Sequence, residues 1–139
     1  IPAGMGVALA EPKRPIFVIV GDGGFQMTVQ ELGTIAQYNL PVKVILLNNN
    51  FLGMVRQWQQ LFFSNRYSST ELKNPDFLMI SEGFGVPSKQ ISDRNLLKET
   101  LQEVIDVDGP FMLEVKVQKE GNIFPMIPAG GTVSEMRLD

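Results

Sequence analysis

The chain has 139 residues and a mass of 15.5 kDa, a length that suits one modest domain. Hydrophobic residues make up 44% and charged residues 19%, enough apolar material for a core and too little charge for a disordered tail. The net charge of −3 gives no general attraction to nucleic acid or anionic membranes, and the absence of cysteine and histidine excludes disulfides, thiolate nucleophiles, Cys/His zinc sites and imidazole acid–base chemistry. Any active site in this chain must use carboxylates, amides, backbone groups or a borrowed cofactor.

Ile1-Pro2-Ala3-Gly4 offers no initiator methionine, basic leader or cleavage pattern, and no run approaches the ~18 apolar residues of a membrane span. These residues read as the inside of an element, as in a piece of a larger protein. Met5 to Ala10 has the look of a helix tail, ended by Glu11-Pro12-Lys13-Arg14-Pro15. Ile16 to Val20 is an unbroken β-branched and aromatic run, which predicts a strand buried on both faces. After Gly21-Asp22-Gly23-Gly24, the residues Phe25, Val29, Leu32 and Ile35/Ala36 recur at helical spacing, which predicts one amphipathic helix ending near Tyr38-Asn39.

Val42 to Leu47 predicts a second apolar strand, ended by Asn48-Asn49-Asn50. A helix is expected over Met54 to Phe63, then a polar loop from Ser64 to Asn74, a short helix within Pro75 to Gly83 and a short strand at Lys89 to Ile91. Leu97, Leu101, Val104 and Ile105 predict a further helix, with Ser92 or Asp93 as its cap. Phe111, Leu113, Val115 and Val117 alternate with Met112, Glu114 and Lys116, a period-2 strand with one more polar face that suits a position near a sheet edge. Residues 119–139 read as an irregular tail. Alternating strands and helices of this length imply an α/β fold, a doubly wound and mostly parallel sheet with helices on both faces.

Ligands in such sheets bind beyond the carboxyl ends of the strands. Two motifs stand there: Gly21-Asp22-Gly23-Gly24 and Asn48-Asn49-Asn50. The first is not a dinucleotide fingerprint, because Gln26 occupies the third glycine position, and no Gly-Lys-Ser/Thr follows to make a P-loop. Taken singly, Asp-Gly-Gly also describes a tight turn, and an asparagine run before a helix describes a turn and a cap. Together, Asp22 and Asn49 are separated by one strand–helix–strand unit, so neighbouring parallel strands would bring them to one edge. A carboxylate, an amide oxygen and a backbone carbonyl form a sparse set of hard ligands that suits magnesium, which takes further oxygens from phosphates and water. The glycines would let backbone approach a diphosphate, and the following helix would present its positive end.

Gly-Asp-Gly followed, one such unit later, by Asn-Asn resembles the diphosphate-binding motif of thiamine-diphosphate enzymes. Gly53-Met54-Val55-Arg56-Gln57-Trp58 and Pro125-Met126-Ile127-Pro128-Ala129-Gly130-Gly131 sharpen the likeness to the large catalytic subunit of acetolactate synthase (acetohydroxyacid synthase). The resemblance implies thiamine diphosphate and Mg²⁺ as cofactors, with FAD bound elsewhere in the whole enzyme. It implies that Asp22, the Asn49 side chain and the Phe51 carbonyl hold the metal. Gly21, Gly23, Gly24, Leu52 and Gly53 would border the diphosphate, with Met54 near the aminopyrimidine or substrate. Val55 and Trp58 would line the substrate side, although a lone Trp at helical spacing otherwise reads as core.

The resemblance further implies decarboxylation of pyruvate and its condensation with pyruvate or 2-oxobutyrate, in branched-chain amino-acid biosynthesis. The activating glutamate would come from a separate domain of a second catalytic subunit, in a homodimer or homotetramer served by a small regulatory subunit. Residues 1–118 would be most of the cofactor-binding domain with its start missing, catalytically silent alone. The lack of cysteine and of a signal fits a cytoplasmic bacterial enzyme, with a plastid or mitochondrial one as the alternative, and no nucleic-acid or membrane partner is expected. Alternatives are the corresponding domain of a pyruvate oxidase or 2-oxo-acid decarboxylase, and a non-catalytic nucleotide-binding module. Arg56 and Arg66 read as solvated surface, with anion contact the alternative, and Glu99, Glu103, Asp106 and Asp108 read as a solvated helix face and loop.

Overall fold

Four β-rich runs of the sequence become four parallel strands: β1 (Ile16–Gly21), β2 (Val42–Asn48), β3 (Ser88–Ile91) and β4 (Phe111–Lys116), in the spatial order β1-β2-β4-β3. The computed structural model describes residues 1–138; Asp139, the last residue of the expected tail, lies outside them. Six helices connect or flank the strands among the described residues: α1 (Pro2–Ala10), α2 (Asp22–Gln26), α3 (Glu31–Gln37), α4 (Gly53–Phe62), α5 (Phe77–Gly83) and α6 (Leu97–Asp106).

Strand side chains alternate between two faces, and helices cover both. On one face Val42, Val44, Leu46 and Met112 pack with Ala8 of α1, Phe25 of α2, Leu32 and Ile35 of α3 and Phe77 of α5. Phe25 and Phe77 meet edge to face at 5.3 Å, the geometry favoured by the ring quadrupoles. On the other face Ile45, Ile91 and Leu113 pack with Val104, Leu97 and Leu101 of α6. The expected α/β, doubly wound parallel architecture is the one observed.

Three local expectations are overturned. β1 is an edge strand with one open face, on which Phe17 is 44% and Ile19 71% exposed, rather than a strand buried on both sides. The apolar run of β1 reports sheet-forming propensity, but α6 reaches only the β2, β4 and β3 side of that face. Conversely, β4 is interior, between β2 and β3. Its polar residue Glu114 is buried because Asn48 Nδ2 and Lys116 Nζ donate to it at 2.6 and 2.7 Å. The single helix expected over residues 25–38 is two, α2 and α3. Between them Thr28, Glu31, Leu32 and Gly33 donate to carbonyls three residues back. This tighter winding keeps Phe25, Leu32 and Ile35 inward, so the apolar spacing survives the break.

Asp76 caps α5 by accepting from the Met79 amide at 3.0 Å, and Asp93 caps a 3₁₀ turn, Arg94–Leu96, that leads into α6. At the end of the sheet remote from these strands' carboxyl termini, buried Lys43 donates to the carbonyls of Val107 and Gly109, both at 2.6 Å. That pins the α6–β4 turn to β2. Burial holds the Lys43 ammonium below the ordinary lysine pKa, opposed by the charge of Asp108.

A β-carbon on Gly4 would lie 2.2 Å from Val18 Cγ2. Gly4→Ala is therefore expected to destabilise by about 1–3 kcal/mol in denaturant melts, with much of the loss recovered in Gly4→Ala/Val18→Ala. Lys43→Met leaves two carbonyls without their donor and is expected to cost about 1–3 kcal/mol. Because the folded-state pKa is the lower one, the unfolded chain binds the extra proton between the two values, and stability rises with pH through that window. Lys43→Met should lose this rise.

Candidate functional site

β1 and β2 run side by side with Gly21 opposite Leu47, so the turns that follow them emerge together. A cleft of about 470 Å³ opens there. Gly21 to Gly24, Asn49 and Phe51 to Met54 all line it, as does Val55. Trp58 is not on this wall: one turn further along α4, its ring packs on Phe62 at 4.8 Å between centroids. Leu47, Val117 and Ile123 complete the apolar side, and none of these was picked out by sequence motif. Ile123 reaches the cleft because buried Gln57 of α4 accepts from its amide at 2.8 Å and donates to its carbonyl at 2.9 Å.

Asp22 is the one ionisable side chain on the wall among the described residues, and it is 1% exposed. A carboxylate so buried must be hydrogen-bonded. Its Oδ1 accepts from the Gly23 amide at 3.0 Å. Oδ2 accepts from the Asn50 amide at 2.8 Å and from Asn74 Nδ2 at 2.7 Å.

The three asparagines divide the work. Asn48 is buried under the site, joined through Nδ2 to Glu114 and through Oδ1 to the Asn50 amide and to Asn74. Asn49 reaches the wall, its Oδ1 accepting from the Phe51 amide at 3.1 Å. Asn50 turns the chain at φ 59°, a left-handed conformation that asparagine tolerates better than most residues. Asn50 and Leu52 then pair with Leu72 and Thr70 across an antiparallel bridge. Phe51 sits at the centre of that bridge, and its carbonyl is not used by the pairing.

Asn48 and Asn50 belong to the asparagine motif but carry no site role in the sequence, and Asn74 and Glu114 belong to no motif. No spacing rule connects Asn74, at the end of a polar loop, with Asp22. Arg56 departs from the surface expectation: it is buried, donating to Gln60 Oε1 at 3.2 Å and Asn122 Oδ1 at 2.5 Å, while its Nε has no partner among the described residues.

The donor set fits a metal-bridged diphosphate. Both α2 and α4 begin on the cleft wall, at Asp22 and Gly53, and among the described residues neither N-cap residue caps its helix through a side chain; Asp22 Oδ1 engages the Gly23 amide, which leaves the other first-turn amides for an anion. An anion placed there also meets the Asp22 carboxylate, and a cation between the two removes the repulsion. Among the described residues no group of three or more His, Cys, Asp or Glu is placed to hold a metal. An ion at Asp22 would thus need neutral oxygens from the Asn49 amide and the Phe51 carbonyl, and more from its ligand, which is magnesium-like chemistry. A β-carbon at Gly23 would lie 2.6 Å from Leu52 Cδ2, so a larger residue there displaces the Leu52 side chain on the cleft wall.

Residues 1–115 match the family described as "Thiamine pyrophosphate enzyme, C-terminal TPP binding domain". The chain is 45% identical over 137 residues to the acetolactate synthase isozyme 2 large subunit of Escherichia coli (strain K12), covering 98% of this chain and 25% of that protein. It is 44% identical over 138 residues to the acetolactate synthase large subunit of Pyropia yezoensis, covering 98% of this chain and 23% of that protein. The chain thus spans about a quarter of the length of these relatives. A Rhodococcus jostii RHA1 thiamine diphosphate-dependent 4-hydroxybenzoylformate decarboxylase superposes with a TM-score of 0.81 at 26% identity, over 88% of this chain and 23% of that one. With matched residues that take in β1, β2, β3, all of β4 but Lys116, and the cleft wall from Gly21 to Val55, this chain belongs to the C-terminal thiamine-pyrophosphate-binding domains of thiamine pyrophosphate enzymes.

Proposed function

We propose that this chain is the cofactor-binding portion of an acetolactate synthase large subunit. In that role it would hold thiamine diphosphate through Mg²⁺ while the enzyme condenses pyruvate with pyruvate or 2-oxobutyrate. The observation that carries the reading is the cleft with one buried carboxylate, Asp22, set among glycines and two uncapped helix starts. The 45% identity to an acetolactate synthase large subunit favours this branch over decarboxylases and oxidases.

Asp22, the Asn49 amide oxygen and the Phe51 carbonyl would hold the metal; the backbone at Gly21, Gly23, Gly24, Leu52 and Gly53 would border the diphosphate. Thiamine diphosphate, when bound, supplies the carbanion-stabilising centre, and the protein supplies position and electrostatics. Leu47, Val117 and Ile123 would exclude water from one side of the cleft. Met54 and Val55, exposed on the first turn of α4, would face the substrate side, with Trp58 bordering the channel beyond them. The activating carboxylate, FAD, a second catalytic subunit and a regulatory subunit lie outside these residues in the proposed enzyme. Among the described residues no helix is long and apolar enough to cross a membrane.

The complete enzyme is expected to bind thiamine diphosphate only with Mg²⁺ in calorimetric titrations, and chelation should reverse binding. Asp22→Ala should weaken this metal-dependent binding by more than about 100-fold. Metal-independent binding, or no loss in Asp22→Ala, would overturn the reading of the site. Pyruvate should yield acetolactate with the complete enzyme and none with the isolated 139-residue chain.

Gly23→Ala should weaken cofactor binding about tenfold by displacing Leu52 at the start of α4, and Gly23→Ala/Leu52→Ala should recover part of that loss.

A further inference from the structure

Asn74 stands behind the cleft, not on its wall, at the end of the loop that precedes α5. Its amide is gripped from both ends. Oδ1 accepts from Gln26 Nε2 at 2.9 Å, while Nδ2 donates to Asp22 Oδ2 at 2.7 Å and to Asn48 Oδ1 at 3.0 Å. Only this orientation matches one donor and two acceptors, so the network itself fixes which end of the amide meets Asp22.

The two Asp22 oxygens are consequently unequal. Oδ2 accepts two hydrogen bonds, from the Asn50 amide and from Asn74; Oδ1 accepts one, from the Gly23 amide. An ionised carboxylate oxygen accommodates about two such partners. Among the described residues Oδ2 is filled and Oδ1 keeps a position open.

Resting on the metal-binding reading of the cleft, we propose that Asn74 is a positioning residue that turns the Asp22 carboxylate so that Oδ1 alone is presented to the cation. The residue type suits the task. An amide holds the carboxylate without neutralising it, whereas a lysine or arginine at this place would form an ion pair and compete with the metal. The grip is braced in turn: Asn48, the second acceptor of Asn74, is tied to Glu114, and Glu114 to Lys116. The chain of contacts thus runs from the middle of β4 to the mouth of the cleft. Other groups that orient a metal ligand from behind typically change metal affinity by about 10–100-fold when removed.

The test is Mn²⁺ binding to the complete enzyme with thiamine diphosphate present, read by electron paramagnetic resonance of the free ion. Asn74→Ala is expected to bind Mn²⁺ about 10–100-fold more weakly than wild type, with kcat restored at saturating Mn²⁺ and KM for pyruvate unchanged. Gln26→Ala, which touches only the far end of the amide, is expected to change the affinity less than about threefold. Wild-type Mn²⁺ affinity in a folded Asn74→Ala would overturn the proposal, as would a loss of kcat that saturating metal does not restore. Should Asn74→Ala not fold, Asn74→Leu, of similar shape and without a donor, carries the same expectation. A measurement on the unmodified enzyme is independent of either variant: anomalous scattering from Mn²⁺ in crystals should place the ion on Oδ1 of Asp22. Bidentate binding, or binding through Oδ2, would overturn the assignment. Wild type binding Mn²⁺ no more tightly than Asp22→Ala would instead remove the metal-site reading, and the role of Asn74 with it.

Discussion

Asp22 is a buried carboxylate at the point where two neighbouring parallel strands end, on a cleft wall that carries no other ionisable side chain among the described residues. A charge in that position is costly unless donors surround it or a cation joins it. Much of the local structure answers this requirement. The Gly23 and Asn50 amides and the Asn74 side chain converge on its two oxygens, and Asn48 lies beneath them. The left-handed turn at Asn50 aims one of these amides, and the bridge between residues 50–52 and 70–72 brings the polar loop close enough for Asn74 to contribute.

The sheet is built to carry that arrangement. Its carboxyl end holds the polar network, and part of that network is buried inside the sheet at Glu114 of β4. Its opposite end is closed by Lys43, which ties β2 to the turn before β4. Both groups sit on interior strands, where an unpaired polar atom would be destabilising, and both are paired. The apolar layers on either face supply the bulk of the burial; these polar contacts set strand neighbours in place relative to one another. The site inherits its precision from that register, because Asp22 and Asn49 directly follow different strands and share the cleft wall through β1–β2 pairing.

A chain without histidine or cysteine is poorly equipped for acid–base or nucleophilic chemistry of its own. The cleft is suited to a different task, holding an anionic cofactor through backbone amides, neutral oxygens and one carboxylate. Family membership in the thiamine-pyrophosphate-binding domains gives that arrangement its meaning. In the proposed enzyme the reactive carbon would belong to the cofactor, and this chain's contribution would be to place it.

Composition and pattern by themselves determined the fold class, the strands Ile16–Val20 and Val42–Leu47 within a residue of their ends, and the pairing of Gly-Asp-Gly with Asn-Asn at one sheet edge. These properties are local, or need only the rule that adjacent parallel strands end together. Which strand would be interior was not legible. The alternating pattern of β4 and the continuous one of β1 suggested the reverse of what is seen, since burial depends on neighbours contributed by distant segments. Likewise the spacing of Phe25, Leu32 and Ile35 identified an inward face but not the break between α2 and α3, because a tighter turn preserves that face. Tertiary structure alone decided that Asn48 lies beneath the site while Asn49 reaches its wall, that Arg56 is buried, and that Asn74 touches Asp22. Side-chain hydrogen bonds across 52 positions leave no periodic trace in a sequence, because each depends on where the folded backbone brings two short polar groups within 3 Å.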